Sequence, residues 1–307
     1  MIKAGVIGLG QMGKNHARIY SEINDVELVG VADIDFNLAQ AFAKKYHTTP
    51  FSDYRELLKQ GLDAVSIVVP TSLHKQVALD AVSAGTHILL EKPISDTIEG
   101  AREIISKAEQ NNIKLMLGHI ERFNPAISVL KEHLIAKEIS LIEITRIGPF
   151  PPRIMDVGVI IDMATHDIDL VGYLTGSNIQ EVHSLYSKSI SSHEDAAILL
   201  FKMENNSLAR ITVNWLTPFK VREINIATKE KYIKTSLIDQ KIYEYSRNGE
   251  DGSYLVTEPL VPLGEPLAIE IKAFLNSITN NTLPPVTGED GLRVLEIAIQ
   301  CLNSKVK

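Results

Sequence analysis

Two groups of residues in this chain have the types and spacing that acid–base chemistry requires. In the first, Asp162 and His166 stand four residues apart and Asp169 follows, so that on a helix all three share one face. A histidine flanked by carboxylates can accept a proton from a hydroxyl while hydride leaves the same carbon. Two alternatives stay open, namely a helix cap at Asp162 beside a core histidine, and a divalent metal site. Since no further histidine cluster completes such a site, we expect no metal.

The second group is Glu91-Lys92-Pro93, which directly follows the apolar run His87–Leu90. In open α/β sheets, ligands bind beyond the carboxyl ends of the strands, so a lysine at this position points toward them. Neighbouring side chains on a strand face opposite ways, and Glu91 should therefore turn away from Lys92. The alternative is an ordinary surface lysine at the end of a strand.

A glycine motif, G-x-G-x-x-G, separates the first apolar run from a helical stretch. Gly8 permits a tight turn, Gly10 lets the backbone approach a pyrophosphate, and Gly13 lets the helix pack closely on the strand. Asp33 ends the second apolar run about 20 residues later, where a carboxylate accepts the ribose hydroxyls of NAD and repels the additional phosphate of NADP. We therefore predict an NAD site. The alternative is a glycine turn without a ligand, with Asp33 capping the next helix.

Strands and helices alternate in the first third of the chain, and they must position these motifs. The predicted strands are Ile2–Ile7, Glu27–Ala32, Ala64–Val69, His87–Leu90 and Lys114–Leu117. The predicted helices are Lys14–Ser21, Asn37–Tyr46, Tyr54–Leu58, His74–Ser83 and Thr97–Asn111. Nearly continuous apolar strands between helices are typical of a parallel sheet covered on both faces, and right-handed crossovers make it doubly wound. Residues 1–120 are thus predicted to form an α/β Rossmann domain.

The pattern changes near Gly118, and residues 121–307 are predicted to form a second, α+β domain. After a helix around Pro125–Ala136, the predicted strands are Ile139–Ile147, Glu181–Tyr186, Ala196–Met203, Leu208–Trp215, Arg222–Thr228 and Tyr232–Leu237. Polar turns between them indicate an open, mostly antiparallel sheet with one solvated face. The segment Tyr243–Pro262 has no clear period and is predicted as turns and loop. Helices Pro266–Ile278 and Glu289–Leu302 close the chain, and the last could pack back on the first domain.

Composition argues against several classes of protein. The 307 residues carry 31 basic and 38 acidic side chains, a formal charge of −7, which disfavours nucleic acids and anionic membranes as partners. The single cysteine, Cys301, can form neither an intramolecular disulfide nor a multi-cysteine metal site. No apolar run reaches the roughly 20 residues that span a bilayer, and no secretory signal precedes the first strand. The expected location is the cytoplasm.

Together, the glycine loop, Glu91-Lys92-Pro93 and the pair Asp162 and His166 resemble the Gfo/Idh/MocA family of oxidoreductases, which includes glucose–fructose oxidoreductase and inositol dehydrogenase. The likeness covers essentially the whole chain. It implies that Lys92, Asp162 and His166 are catalytic, with His166 taking the hydroxyl proton and Lys92 polarising the substrate oxygen. It also implies homodimers or homotetramers packed through the open sheet, whose apolar face would otherwise meet water. The cofactor contacts expected from the motif and the resemblance are Gly8, Gly10, Gln11, Met12, Gly13, Asp33, Thr71, His74, Glu91 and Lys92.

Two segments bear on the substrate. Arg122-Phe123-Asn124-Pro125 is similar to a segment of family members that oxidise UDP-N-acetylglucosamine at C3, and so is Gly148–Arg153. Many sugar and cyclitol dehydrogenases have a Gly-Gly-Gly run where this chain has Asp156–Ile161, a departure that disfavours a free sugar or inositol. The expected substrate contacts are Arg122, Asn124, Arg153, Asp162 and His166.

A UDP-sugar needs cations for its diphosphate. The candidates are Arg122, Arg146, Arg153, Lys220 and Arg222, although these side chains could instead form ordinary surface or interdomain pairs. Another sugar, cyclitol or UDP-aminosugar-uronate dehydrogenase would keep every motif and change only the pocket. A non-catalytic NAD-binding regulator would keep the glycines but would not need Lys92 together with His166.

Overall fold

The computed structural model describes residues 1–151, 157–248 and 252–304. They fall into two units. The first comprises Met1–His119 with Leu267–Arg293, and the second comprises Ile120–Pro266 with the residues from Val294 onward. Each unit has its own sheet.

The first unit is a doubly wound parallel sheet of six strands in the order β3-β2-β1-β4-β5-β6. Its strands are β1 (Ile2–Ile7), β2 (Val26–Ala32), β3 (Thr49–Phe51), β4 (Ala64–Ile67), β5 (His87–Glu91) and β6 (Leu115–Gly118). Its helices include α1 (Gly13–Glu22), α2 (Phe36–Tyr46), α3 (Tyr54–Leu58), α4 (Thr71–Ser83) and α5 (Ile98–Gln110). Every residue of β4 and β6 is buried, because helices cover both faces of the sheet. The predicted Rossmann fold is confirmed.

The second unit contains an open sheet of eight strands in the order β14-β13-β12-β11-β7-β10-β9-β8. Its strands are β7 (Ile139–Pro149), β8 (Ile179–Ser187), β9 (Ala196–Met203), β10 (Leu208–Asn214), β11 (Leu216–Thr228), β12 (Lys231–Ser236), β13 (Lys241–Arg247) and β14 (Tyr254–Thr257). Only β7 and β10 pair in parallel, so the sheet is mostly antiparallel, as predicted.

Helices cover one face of this sheet. Helix α6 (Pro125–His133) begins after Asn124, and α7 (Thr165–Thr175) supplies Leu170, Val171 and Leu174 to the core. The buried residues of the strands alternate with exposed ones, as in β9, where Leu199 and Phe201 point inward. Burial of this apolar stripe fixes the register of the strands, since a slip of one residue would exchange the two faces.

Two long helices close the chain, α8 (Pro266–Thr279) and α9 (Gly288–Asn303). Within the first unit, Gly288 and Gly291 leave room for Ile105, Leu115 and Leu117, because a Cβ at either glycine would lie 2.7 Å from a side-chain carbon. Among the described residues, none of the helices is both long and apolar enough to span a membrane.

The prediction of turns and loop for Tyr243–Pro262 is wrong, because β13 continues to Arg247 and β14 adds a further strand. Strand β13 alternates regularly, but its inward positions include Glu244, whose carboxylate lies 2.7 Å from the Lys231 ammonium and 3.2 Å from the His133 ring. A charged residue at a core position hides the apolar period. The three-residue edge strand β3, which contains Pro50, was also absent from the predicted elements.

Candidate active-site residues

The glycine loop has the geometry that its motif predicts. Gly8 has φ of 90°, and a Cβ there would lie 2.4 Å from the Val68 carbonyl oxygen. A Cβ at Gly13 would lie 1.8 Å from the carbonyl oxygen of Gly8, so only glycine allows α1 to begin so close to β1. A Cβ at Gly10, by contrast, would meet no described atom within 4 Å. The loop therefore packs against backbone atoms at Gly8 and Gly13 and leaves open space at Gly10.

Asp33 lies beside this loop. Its carboxylate accepts hydrogen bonds from the backbone N–H groups of Leu9, at 2.7 Å, and Asp35, at 2.9 Å. The alternative role for Asp33, capping the next helix, belongs instead to Asp35, which accepts from the N–H groups of Asn37 and Leu38. Asp33 is thus held at the end of β2 beside the backbone of the glycine loop.

These residues fit a bound dinucleotide. Among the described residues, no side chain caps the start of α1, where Met12 is the N-cap, and its first turn holds no acidic residue. The N–H groups and partial positive charge of this turn suit a phosphate group. Gln11 is exposed and Met12 half-buried at the same turn. The open space at Gly10 is where a close approach to the backbone would occur.

Lys92 follows the last residue of β5 and is half-buried, and its peptide bond to Pro93 is cis. The preceding Glu91 is buried, and its carboxylate accepts from the Lys92 N–H at 3.3 Å and contacts the His16 ring at 3.2 Å. Although burial alone would raise it, His16 and Lys92 hold the pKa of Glu91 below its ordinary value. Sequence reasoning missed His16. The available signal was its i, i+4 relation to Tyr20 on an otherwise apolar helix face.

The Thr71–His74 stretch begins α4, as the first turn after β4. The His74 ring is buried, with Nδ1 2.7 Å from the Pro93 carbonyl oxygen and Nε2 3.0 Å from that of Val69. Burial lowers the pKa of His74, so that the neutral ring donates to one carbonyl at a time. His74 thereby holds the segment after Lys92 against the end of β4. The cofactor contacts that the resemblance implies for Thr71 and His74 remain predictions.

Asp162 lies in a single turn of π-helix, Ile160–Ala164, that runs directly into α7 with His166 in its first turn. Glu194 anchors this turn, because its carboxylate accepts from the Ile160 N–H at 3.2 Å. The carboxylate fills space left by Gly158, where a Cβ would come within 2.2 Å of its oxygens. Asp162 and His166 are both half-buried. Single π turns inside α-helices occur frequently at functional sites.

Asp169, the third member of the predicted shared face, has another partner. Arg122 donates from Nε and Nη2 to its two carboxylate oxygens at 2.7 and 2.5 Å, and the guanidinium also lies over the Tyr173 ring. Asp169 is therefore the buried anchor of α7. The acid–base role predicted for Asp162 and His166 therefore does not extend to Asp169.

A second buried arginine holds the same helix. Arg146 on β7 donates to Asp167 at 2.9 Å and to Glu121 at 2.8 Å, and Arg222 reaches Glu121 at 3.2 Å. Although burial alone would lower it, the two carboxylates raise the pKa of Arg146. Burial alone would raise the pKa of Glu121, but Arg146 and Arg222 lower it. Asp167 and Asp169, the acidic residues on either side of Ile168, are therefore each paired with a buried arginine.

Of the other predicted substrate contacts, one is buried and one lies outside the described residues. Asn124 is buried, caps α6 through the Ala126 N–H and donates to the Leu237 carbonyl oxygen at 3.0 Å. Arg153 lies outside the described residues. Of the candidate cations for a diphosphate, Arg122 and Arg146 are engaged in buried pairs, Arg222 is exposed but also pairs with Glu121, and Lys220 is exposed.

Comparison with known proteins agrees with this arrangement. A family model described as an oxidoreductase family with an NAD-binding Rossmann fold, Gfo/Idh/MocA, matches residues 2–119, and the model for the Gfo/Idh/MocA C-terminal domain matches residues 145–234. The chain belongs to the Gfo/Idh/MocA family of oxidoreductases, as its three motifs predict. It is a dehydrogenase acting on CH–OH groups.

Among its relatives is UDP-N-acetylglucosamine 3-dehydrogenase of Acidithiobacillus ferrooxidans, which is 33% identical over 97% of this chain and 96% of the relative. A solved structure of that enzyme superposes with a TM-score of 0.92 and covers 97% of this chain and 96% of its own. The scyllo-inositol 2-dehydrogenase (NAD(+)) of Bacillus subtilis is 26% identical over 99% of this chain and 94% of its own. Levoglucosan dehydrogenase in complex with NADH shares the fold, with a TM-score of 0.88 at 19% identity and coverage of 99% and 96%.

Proposed function

We propose that the chain is an NAD-dependent dehydrogenase that oxidises the C3 hydroxyl of UDP-N-acetylglucosamine to a ketone. The similarity to the A. ferrooxidans UDP-N-acetylglucosamine 3-dehydrogenase carries this proposal. It extends over 97% of the chain at 33% identity, so it is not limited to the nucleotide-binding unit. The Arg122–Pro125 segment and the absence of a Gly-Gly-Gly run before Asp162 favour the same substrate over a free cyclitol.

The residues of the first unit are assigned to the cofactor. The glycine loop would hold the pyrophosphate at the open side of Gly10, and Asp33 would accept the ribose hydroxyls. Bound NAD supplies the acceptor for a hydride ion. We favour NAD over NADP because the Asp33 carboxylate would repel a 2′-phosphate, and Asp35 adds a second negative charge nearby.

The acid–base chemistry is assigned to three side chains. In the oxidation, the C–H bond of the reacting carbon breaks as hydride leaves, and the O–H bond breaks as its proton passes to the His166 imidazole. Asp162 orients this ring and stabilises its charged form. The Lys92 ammonium donates a hydrogen bond to the substrate oxygen, which stabilises the negative charge that develops there.

The five expected substrate contacts divide into three direct contacts and two residues with a supporting role. Asp162, His166 and Arg153 are proposed to contact the nucleotide sugar. For Arg122 and Asn124, the hydrogen bonds to Asp169 and to the start of α6 favour an indirect role, in which they fix the helices of the second unit.

We also propose that the chain forms a homodimer or homotetramer through the open sheet. On strands β8–β10 the outward face carries large apolar side chains, which are Leu185, Ile198, Leu200 and Leu208, each 46–61% exposed. Strand pairing places Leu185 beside Ile198, and Leu200 follows two residues later on the same face, so this apolar surface favours contact with a second copy. Together with the single cysteine, the nicotinamide cofactor favours the reducing cytoplasm as the location.

The test is a screen of UDP-N-acetylglucosamine, other UDP-sugars, N-acetylglucosamine and inositols for NADH formation, because inositol dehydrogenases are among the relatives. We expect UDP-N-acetylglucosamine to give the highest kcat/KM. Substrate deuterated at C3 should transfer its deuterium to the cofactor and turn over more slowly, whereas deuterium at C4 should do neither. Preferred oxidation of an inositol, or transfer of the C4 label, would reject the proposal.

A further inference from the structure

A chain of hydrogen-bonded polar groups in the first unit connects helix α1, which follows the glycine loop, to the end of β5, where Lys92 lies. The Tyr20 hydroxyl lies 2.9 Å from Ser66 Oγ, and Ser66 Oγ lies 3.0 Å from His16 Nδ1. His16 Nε2 lies 3.2 Å from Glu91 Oε1, and Glu91 Oε2 accepts from the Lys92 N–H. Tyr20, His16 and Ser66 are fully buried, so the links from Tyr20 to His16 lie away from water.

The two groups at the ends of this chain, the Tyr20 hydroxyl and the Glu91 carboxylate, determine which atom donates in each hydrogen bond. Burial raises the pKa of Tyr20, which therefore stays a hydroxyl and can donate to Ser66. At the other end the ionised Glu91 carboxylate can only accept, so His16 Nε2 donates to it. The Ser66 hydroxyl then donates to His16 Nδ1. A neutral imidazole satisfies both links, and each donor of the chain has an acceptor.

Two neighbours determine the space and the charge at the Glu91 carboxylate. Gly118 on the adjacent strand β6 leaves the space for it, because a Cβ there would lie 3.0 Å from Glu91 Oε2. Glu270 on α8 is a second, fully buried carboxyl group near Glu91, and neither of its oxygens has a hydrogen-bond partner among the described residues. Burial, together with the charge of Glu91, raises the pKa of Glu270, so Glu270 keeps its proton while Glu91 carries the charge. The negative charge is thus localised at the group that contacts His16 and Lys92.

We propose that His16 and Glu91 form a positioning pair through which the dinucleotide-binding helix sets the position of Lys92 relative to the cofactor. The inference rests on the proposed function, since it takes Lys92 as the group that contacts the substrate oxygen. His16 stands three residues after Gly13, and Glu91 directly precedes Lys92, so one buried contact joins the two motifs. Neither His16 nor Glu91 needs to touch substrate for this role.

The test compares three variants of the full chain. His16→Ala removes the contact with Glu91, and His16→Gln restores an N–H donor near the position of Nε2. Thr86→Val is the matched control, because Thr86 is a fully buried residue of the same unit whose hydroxyl donates to the Leu62 carbonyl oxygen, away from this chain of contacts. The readouts are steady-state kinetics, NADH affinity by fluorescence, and site-resolved hydrogen exchange of the Lys92 amide.

For His16→Ala we expect kcat to fall about tenfold to a hundredfold, since small misplacements of a reacting group cost this much, while NADH affinity changes less than about threefold. The Lys92 amide should exchange faster. His16→Gln should recover most of both properties, and Thr86→Val should change neither. If the Lys92 amide exchanges in His16→Ala as it does in the wild type, or if Thr86→Val lowers kcat equally, the positioning role is overturned. Faster exchange in a protein that oxidises no sugar would instead reject the proposed function, and the pair would remain as an ordering contact.

Discussion

Arg122 and Asp169 are separated by 47 residues in sequence, yet two N–H groups of the arginine meet the two oxygens of the aspartate at 2.7 and 2.5 Å. Both side chains are largely buried, and the contact fixes helix α7 one turn after His166. A planar guanidinium can hold a carboxylate in this fork geometry, whereas a lysine cannot. The pair therefore helps to determine the orientation of the helix that carries His166.

We expect Arg122→Ala to lower the free energy of unfolding by about 3–5 kcal/mol, because it leaves the Asp169 carboxylate buried without its counter-ion. The double variant Arg122→Met with Asp169→Leu should be closer to the wild type, since it removes both charges. Urea denaturation measures both. In kinetics, Arg122→Ala should lower kcat with little change in KM for the UDP-sugar. A rise in KM at unchanged kcat would identify Arg122 as a direct substrate contact instead.

The catalytic assignment predicts that Lys92→Ala and His166→Ala each lower kcat by about 10²–10⁴-fold, with NAD affinity nearly unchanged. Asp162→Asn should have a milder effect, because an amide can still orient the imidazole. The acidic limb of the pH profile of kcat/KM should disappear in the His166 variant. His193→Ala, a histidine of the same unit outside α7, is the control. Near-native turnover of His166→Ala with an unchanged pH profile would return His166 to the role of a core residue.

NAD should be preferred over NADP by at least about tenfold in kcat/KM, which corresponds to about 1.4 kcal/mol. The Asp33 carboxylate is held beside the glycine loop by the Leu9 and Asp35 N–H groups and would repel a 2′-phosphate. Asp33→Asn should reduce the preference. Asp53→Asn is the matched control, because Asp53 caps helix α3 of the same unit and asparagine also caps helices well. A wild-type preference for NADP would contradict the role of Asp33.

Because Glu121 is buried and paired with two arginines, we expect the free energy of unfolding to fall in acid. Arg146 and Arg222 hold its pKa below the ordinary value, so its contribution is fully present above the pKa of an unfolded glutamate, about 4.3. The contribution is lost as the pH falls below that value and through the lowered pKa, when Glu121 takes up a proton. Glu121→Gln should cost about 3 kcal/mol at neutral pH and flatten the pH dependence below about pH 4. Urea denaturation at several pH values tests this, with the exposed Glu181→Gln as a control that should change little.

The open sheet predicts that Leu200→Glu shifts the chain toward the monomer. Leu200 lies on the outward face of β9, beside Ile198 and across from β8, and any contact through this face would remove water from a carboxylate placed there. Light scattering after gel filtration measures the mass. Leu283→Glu, at an exposed position of the first unit, should leave it unchanged. A monomeric wild type at micromolar concentration would contradict the proposal.

The first unit was predictable because its signals are local. The strand β1, the glycine turn and α1 each depend on neighbouring residues, and helix α3 was predicted with its observed bounds. In the second unit, β13 was missed because the inward Glu244 interrupts its apolar period, and β14 because all four of its residues are exposed.

The residues proposed for the site come from the sequence, whereas the side chains that hold their helix in place could not be predicted from it. The types and spacing of Asp162 and His166 indicate acid–base chemistry. The partners that orient α7 are distant in sequence, since Arg146 lies 21 residues before Asp167. Spacing along one chain cannot indicate which of several arginines will meet which carboxylate. For that reason Arg122 and Arg146 were candidates for a diphosphate, although both are engaged in buried ion pairs.

Because of the π turn at Ile160–Ala164, the relative orientation of the Asp162 and His166 side chains depends on the number of residues between them as well as on which residues these are. Each residue of an α-helix advances the chain by about 100°, so the loss of one residue between Asp162 and His166 would rotate Asp162 and everything before it by about that angle relative to α7. The hydrogen bond between Glu194 and Ile160 would lose its register at the same time. An insertion or deletion between Asp162 and His166 would therefore separate the two side chains of the proposed acid–base pair, whereas a substitution at Met163 or Ala164 would keep their spacing.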